Sequence, residues 1–369
     1  MIKLITYLSF CIAIGIVNTH AQNIAGIQHM LDSAYAKTPF YGNILITKNN
    51  KILFEKSYGY ADALNAKPLT NENAFQIASV SKQFTAYGIM ILKNKGLLDY
   101  DSFVCKYLSN FPYKNITVRH LLTHTAGLPN FWDDIRPHLD TTKANGIKEV
   151  LAYIIQHKMP LLAEPGTKFQ YADIGYDFLA NIIENISGLS YEAFMHKNIF
   201  KPLKMKNTYA YMGTDIRNIK NNKLAIGHTF DNGKFAYAHL QAKYNFVYYL
   251  GNFYGDGSMV STARDLAIWH KALSDCKLLP CNIQEEAITE PVFNNEVFYA
   301  RTKPNVGYGF GWFIKRTPTG KWVYHSGGHP GNSHIVYRLL DKDITFIFLS
   351  NAETPNIKTL RNNILPLLQ

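Results

Sequence analysis

Cysteine is scarce, no long apolar run follows residue 17, and no block of like charge occurs anywhere in the 369 residues. Each scarcity excludes a class. Four cysteines, Cys11, Cys105, Cys276 and Cys281, are too few for a disulfide-built scaffold. Without a later apolar stretch of about 20 residues, no segment after the first is suited to span a bilayer. The 38 Lys and Arg outnumber the 27 Asp and Glu, giving a formal charge of +11, but the cations are dispersed. Dispersed charge describes a solvated basic surface rather than a nucleic-acid site. Internal repeats and low-complexity tracts are also missing. What is abundant is core material, with 47% hydrophobic and 14% aromatic residues, so disorder is excluded.

The N-terminus carries an address. Met1-Ile2-Lys3 is followed by the apolar stretch Leu4 to Val17 and then Thr19-His20-Ala21. A basic start, a short apolar run and a small final residue make a secretory signal peptide over 1–21. Cys11 lies inside the apolar run behind the bulky Phe10, which does not suit a lipid-anchor signal. The expectation is an exported protein, periplasmic or secreted, with one catalytic unit over 22–369. In an oxidising compartment Cys276 and Cys281, which enclose a short loop, could pair. Cys105 reads as a small buried side chain.

Gly42 to Lys48 and Lys51 to Tyr58 read as a hairpin about Asn49-Asn50. Ser79 to Lys95 reads as a helix stopped by Gly96. Ile147 to His157, Asp177 to Ile186 and Ser258 to Ala272 also carry helical spacing. Four strands are expected near the end, at Gly309 to Lys315, Lys321 to His325, Ser333 to Leu340 and Ile344 to Ser350, with a tight turn at Asp341-Lys342-Asp343. A last helix is expected from Pro355 to Leu368. The fold class is therefore α+β: one antiparallel sheet built from N- and C-terminal strands with flanking helices, plus a mainly helical lobe over roughly 96–245.

Three short motifs carry chemistry. Ser79-Val-Ser-Lys82 puts a hydroxyl and an amine on one helix face, where the amine can activate the hydroxyl. Ser274-Asp-Cys-Lys277 has the same spacing but lies beside a polar loop and reads as surface. Tyr171-Ala-Asp173 offers a phenol to relay a proton and a polar partner. Tyr41, Tyr60, Tyr113 and Tyr254 open look-alikes; Tyr171 differs in following a turn and preceding a helix. Asp173 also reads as a helix cap. His325-Ser-Gly-Gly328 ends a strand, where glycines let a substrate approach. His329 and His334 sit in Gly/Pro-rich sequence without acidic partners, so neither a metal nor another cofactor is expected.

In this order and at these separations the motifs resemble those of class C β-lactamases, DD-peptidases and related esterases. Ile116 to Pro129, Lys95 to Asp99 and Gly257 to Asp265 are similar to that family as well, and the likeness runs from about residue 25 to the end. The resemblance implies a β-lactamase/transpeptidase-like fold and an acyl-enzyme on Ser79, with Lys82 and Tyr171 moving the proton. It places Asp173, His325, Ser326, Gly327 and Gly328 around the substrate, with the Ser79 and Gly328 N–H groups facing the oxyanion. Such donors contribute about 2.7–4 kcal/mol each. Two residues depart from the pattern. Asp173 stands where many members have Asn, and His325 where class C β-lactamases have Lys. His325 is expected to offer a positive charge or a hydrogen bond. The resemblance implies a small-molecule or peptide substrate cleaved at an ester or amide, whether a D-amino-acid peptide, an ester or a β-lactam, with the two departures arguing against potent β-lactamase activity. The competing reading is a non-catalytic binding or scaffolding protein on the same fold. The sequence sets no oligomeric state. The loops Phe131 to Asp140 and Tyr237 to Gly251 are expected to shape the pocket, with the aromatic run Tyr244 to Leu250 leaning towards core.

Overall fold

A computed structural model describes residues 23–211, 223–293, 296–297, 299–302, 305–354 and 357–368. The expected signal peptide, 1–21, lies outside them. Among the described residues no helix is long and apolar enough to cross a membrane.

The main sheet takes strands from both ends of the chain. They are β1 (Gly42–Lys48), β2 (Lys51–Tyr58), β3 (Tyr299–Thr302), β4 (Asn305–Tyr308), β5 (Phe313–Thr317), β6 (Gly320–His329), β7 (Asn332–Leu339) and β8 (Ile344–Ser350). Their spatial order is β3-β4-β5-β6-β7-β8-β1-β2, and the pairings between neighbours are antiparallel. Gly42 pairs with Ser350 and Lys48 with Ile344, so the central seam joins the two ends of the chain.

Both faces of this sheet are covered, which is why β1 and β8 are buried at nearly every position. Ile44, Ile46, Phe346 and Phe348 point to one core with the helices α1 (residues 23–37) and α6 (Ile357–Ile364). Leu45, Ile347 and Leu349 point to the other. That second core holds α2 (Lys82–Asn94) and the helical lobe, with α3 (Ile147–His157) and α4 (Asp173–Ser187). α5 (Ala263–Ser274) packs into the same core through Leu266 and Trp269.

The hairpin, α3, β8 and the stop at Gly96 agree with the sequence. Asn49 and Asn50 both take the left-handed conformation that a two-residue turn needs (φ 50° and 59°). Several boundaries differ. Ser258 to Ala272 is not one helix. Met259–Ser261 forms a short strand against Phe75–Gln76, and Thr262 then caps α5 by accepting from the Asp265 N–H at 3.0 Å. The expected strand Gly309 to Lys315 begins only at Phe313, because Gly311, at φ 78°, turns the chain between β4 and β5. The turn before β8 is a 3₁₀ turn, Leu340–Lys342, with Asp343 at φ 46°. The last helix runs from Ile357 to Ile364 and tightens into 3₁₀ at Leu365–Leu368. Cys276 and Cys281 form a disulfide with Cα atoms 5.1 Å apart. Cys105 is only half-buried at the edge of the main core.

Candidate active site

The backbone enters the site strained. Ala78 has φ +48°, a left-handed conformation that costs a residue with a Cβ about 1–2 kcal/mol. It opens the 3₁₀ turn Ala78–Ser81, which runs directly into α2. The turn puts the half-buried Ser79 side chain at the pocket wall, while Lys82, three residues on, is 0% exposed.

Three oxygens hold the Lys82 ammonium. Its Nζ donates to Ser79 Oγ at 3.1 Å, to Asp173 Oδ1 at 2.7 Å and to the Asp256 carbonyl at 2.9 Å. The Asp256 carboxylate is 3.9 Å away, and the ring of Tyr171 lies 5.1 Å from Nζ. Burial by itself pushes Lys82 down, but Asp173 outweighs it, aided by Tyr171 and Asp256, and the ammonium ends well above its ordinary range. Lys82 therefore rests as a cation, a hydrogen-bond donor to Ser79.

Tyr171 lies on the loop before α4, as expected, and its ring packs on His124 at 4.2 Å. Burial raises its phenol to about 12 while the Lys82 charge pulls it down. Asp173 is the first residue of α4, where the helix dipole favours an anion. Its carboxyl stays below the usual range: burial would raise it, and Lys82 overcomes that. Trp132 Nε1 donates to its second oxygen at 3.2 Å.

The third motif divides its tasks by strand alternation. Gly328 faces open space and lines the pocket. Ser326 is exposed but does not line it. Gly327 turns inward, and a Cβ there would sit 2.3 Å from the Ile77 carbonyl oxygen. Glycine is what allows β6 to lie against the turn that carries Ser79.

His325 corrects an expectation. It is 1% exposed, and its Nδ1 donates to the Ser326 carbonyl at 2.7 Å, which leaves Nε2 to accept from the Tyr308 hydroxyl at 3.0 Å. Burial drives its pKa to about 3, with Lys82 adding to the effect. The ring is neutral, and neither a positive charge nor a free N–H faces a substrate. His334 is a strut as well: Nε2 donates to the Gln76 carbonyl at 2.7 Å and Nδ1 accepts from the Ser350 N–H at 3.2 Å. Among the described residues no cluster of His, Cys, Asp or Glu could hold a metal.

Sequence reasoning passed over Asp256, one of the Tyr-x-Asp look-alikes. Its loop is anchored on α4, where Asp177 Oδ1 accepts from the Tyr254 and Gly255 N–H groups at 3.1 and 2.9 Å. Burial raises Asp256 to about 6, and burial with the neighbouring Asp256 charge pushes Asp177 well above its usual range. The only hint in the sequence is that Asp256 directly precedes the family-like segment from Gly257. His124, Trp132 and Tyr308 were also not singled out.

The pocket in front of Ser79 has a volume of about 560 Å³. Both expected loops reach it, through Phe131 and Trp132 and through Tyr244, Phe246 and Leu250. The aromatic run thus lines the cavity, against its lean towards core, although Tyr249 within it is buried. With its hydroxyl, ammonium, phenol and open strand edge, this arrangement can support attack on a carbonyl carbon and shelter of the resulting oxyanion.

Comparison with known proteins agrees in family and fold. The profile of the family described as Beta-lactamase matches residues 32–368. Penicillin-binding protein 4* of Bacillus subtilis (strain 168) is 33% identical over 331 residues, covering 89% of this chain and 71% of its own. Protein flp of Staphylococcus aureus (strain MW2) is 28% identical, covering 87% of this chain, which spans only 59% of it. Among solved structures, the octameric penicillin-binding protein homologue from Pyrococcus abyssi superposes with a TM-score of 0.75 at 27% identity, covering 93% of this chain and 77% of its own. D-amino acid amidase from Ochrobactrum anthropi SV3 shares the fold, with a TM-score of 0.74 at 24% identity, covering 94% and 98%.

Proposed function

Because the chain belongs to the β-lactamase family, we propose that it is an exported serine hydrolase that forms an acyl-enzyme on Ser79 and cleaves an ester or amide. In this reading residues 1–21 are removed and 22–369 act as one catalytic unit. The observation that carries the proposal is the 3.1 Å contact between Ser79 Oγ and a fully buried Lys82, facing an open pocket.

Ser79 Oγ attacks the carbonyl carbon, and the N–H groups of Ser79 and Gly328 receive the oxyanion. The serine proton passes towards Lys82 and Tyr171, and one of these returns a proton to the leaving group. Since Asp173 keeps Lys82 protonated at rest, attack needs the ammonium to lose its proton first. Activity accordingly rises with pH through the neutral range. Asp173 also repels carboxylate-bearing substrates, and the neutral His325 does not attract them. Uncharged esters and peptides are therefore favoured over β-lactams.

The resting ammonium is also what a non-catalytic binding protein would tolerate. Covalent capture separates the readings. A fluorophosphonate should label the wild type on Ser79 and leave Ser79→Ala unlabelled. A panel of p-nitrophenyl esters and nitrocefin then ranks substrates. An unlabelled wild type, stable and folded, would exclude the hydrolase.

A further inference from the structure

The protein surface is basic, but its pocket is not. Four carboxyl groups line the cavity, from Asp173, Asp177, Asp256 and Glu353, of which burial holds Asp177 towards its neutral form, and no lysine or arginine does among the described residues. Lys82, behind the wall, answers Asp173 and part of Asp256. Glu353 lies apart from that cluster and makes no ion pair among the described residues. It is held in place instead: Oε2 accepts from the Tyr244 hydroxyl at 3.0 Å and Oε1 from the Gly331 N–H at 2.8 Å.

A second acceptor belongs to the same pocket wall. Asn332, next to Gly331, is 3% exposed and lines the same pocket, and its Oδ1 has no hydrogen-bond partner. A buried oxygen without a donor is costly unless something supplies one. Between this corner and Asp173 runs an aromatic wall. Trp132, bonded to Asp173, meets the Phe246 ring at 5.4 Å, and Phe246 meets Tyr244 at 6.2 Å. The Tyr244 ring already takes a cation, since the ammonium of the exposed Lys243 lies 4.7 Å from its centroid.

We propose that this pocket selects acyl compounds carrying a protonated primary amine, with Glu353 and Asn332 receiving the ammonium. The inference rests on the reading of Ser79 as nucleophile and names the substrate class for that site. An ammonium has three N–H donors and no acceptor, which matches a corner made of oxygens. The aromatic wall faces its apolar stem, and a cavity lined by one sign of charge concentrates the opposite sign.

Three matched p-nitroanilides of 6-aminohexanoic acid, whose methylene stem carries the amine along that wall, test the proposal at pH 6.5. One has a free amine, one is N-acetylated and one is N-succinylated, so their charges are positive, zero and negative. Each is measured as a substrate and as a competitor of fluorophosphonate labelling, so an uncleaved compound still takes a rank. The expected order is cation, neutral, anion, with at least about a tenfold step from cation to neutral at low salt. Glu353→Gln should reduce the cation-to-neutral ratio by about tenfold, because the amide keeps an acceptor for Gly331 but loses the charge. Glu72→Gln, on an exposed carboxylate bound to Arg264 at 2.7 Å, should leave that ratio unchanged. Labelling of Ser79 with a flat or anion-first ranking overturns the proposal alone. An unchanged ratio in Glu353→Gln does the same. Absence of labelling overturns the hydrolase reading, and the proposal with it.

Discussion

Exchanging Asp173 for Asn tests the electrostatic design of the site most directly. At the observed 2.7 Å between Nζ and Oδ1, and with an effective dielectric of about 20, the attraction is about 6 kcal/mol. Solvent reaches the Asp173 side chain, which is 21% exposed, and trims that figure. The amide removes the charge, keeps the size and retains an oxygen that accepts from Nζ. Asp256 remains, at 3.9 Å, too far to replace it. Burial then dominates, and Lys82 gives up its proton at lower pH. If only a third of the attraction is realised, the deprotonated fraction at pH 7 rises more than about tenfold. The ascending limb of kcat/KM for an uncharged ester should move to lower pH by a matching amount.

Stability supplies a second readout. The Asp173 carboxyl is lowered on folding, so its contribution is present above about pH 4 and is lost as pH falls through the folded value. Lys82 is raised, so its contribution is present below about pH 10 and is lost as pH climbs through its folded value. Removing one partner of a buried pair costs up to about 3 kcal/mol near neutrality, less whatever Lys82 recovers by losing its proton. Superimposable pH–rate profiles, with urea stability within about 0.5 kcal/mol of wild type at pH 7, would refute this account of the pair.

Ser79→Ala should abolish turnover and labelling, whereas Ser274→Ala should leave both unchanged; it costs about 1 kcal/mol in urea unfolding, because Arg338 Nη2 loses its 2.9 Å acceptor. Lys82→Met should lower the single-turnover acylation rate by about 10²–10⁴-fold, and a change under about threefold would remove it from the mechanism. Gly327→Ala should reduce acylation steeply while circular dichroism stays native, since the new Cβ pushes β6 off Ile77; wild-type activity would mean that this contact does not set the site. His325 and His334, both near pKa 3 when folded, bind protons first in the unfolded chain. These two alone should therefore lower stability as pH drops below about 6.5, by up to about 2.7 kcal/mol per pH unit, read in urea titrations at pH 4.5 to 7 as the difference in slope between wild type and a variant with Gln at both positions.

What the sequence disclosed is what local periodicity encodes. The hairpin β1–β2, α3 and β8 were readable because their side-chain spacing is settled within a few residues. The Ser79–Lys82 pair was readable for the same reason, being three residues apart on one helical face. Asp256 was not, because it reaches Lys82 only after a loop crosses α4, and Tyr-x-Asp occurs elsewhere as noise. Nor was the state of His325. Its residue type suggests a titrating cation, and only its burial against Tyr308 shows that it stays neutral. The run from Tyr244 failed in the opposite sense: its apolar character implied core, and tertiary placement made it a wall of the cavity, whereas the loop from Phe131 reaches the pocket as its position suggested.

The seam between β1 and β8 sets a clock on the appearance of function. Ser79 and Lys82 are made early, but the Gly327-Gly328 stretch that presses against their turn comes about 250 residues later. The sheet that carries it closes only when Ile344–Ser350 pairs with Gly42–Lys48. A ribosome or export channel delivers the chain from its N-terminus, so every intermediate that has passed residue 82 but is short of residue 350 carries a serine and a lysine whose opposite wall is either unmade or not yet held by the closed sheet. At about 5–20 residues per second, that interval is longer than ten seconds. On the proposed mechanism, the growing chain cannot be acylated until that strand arrives.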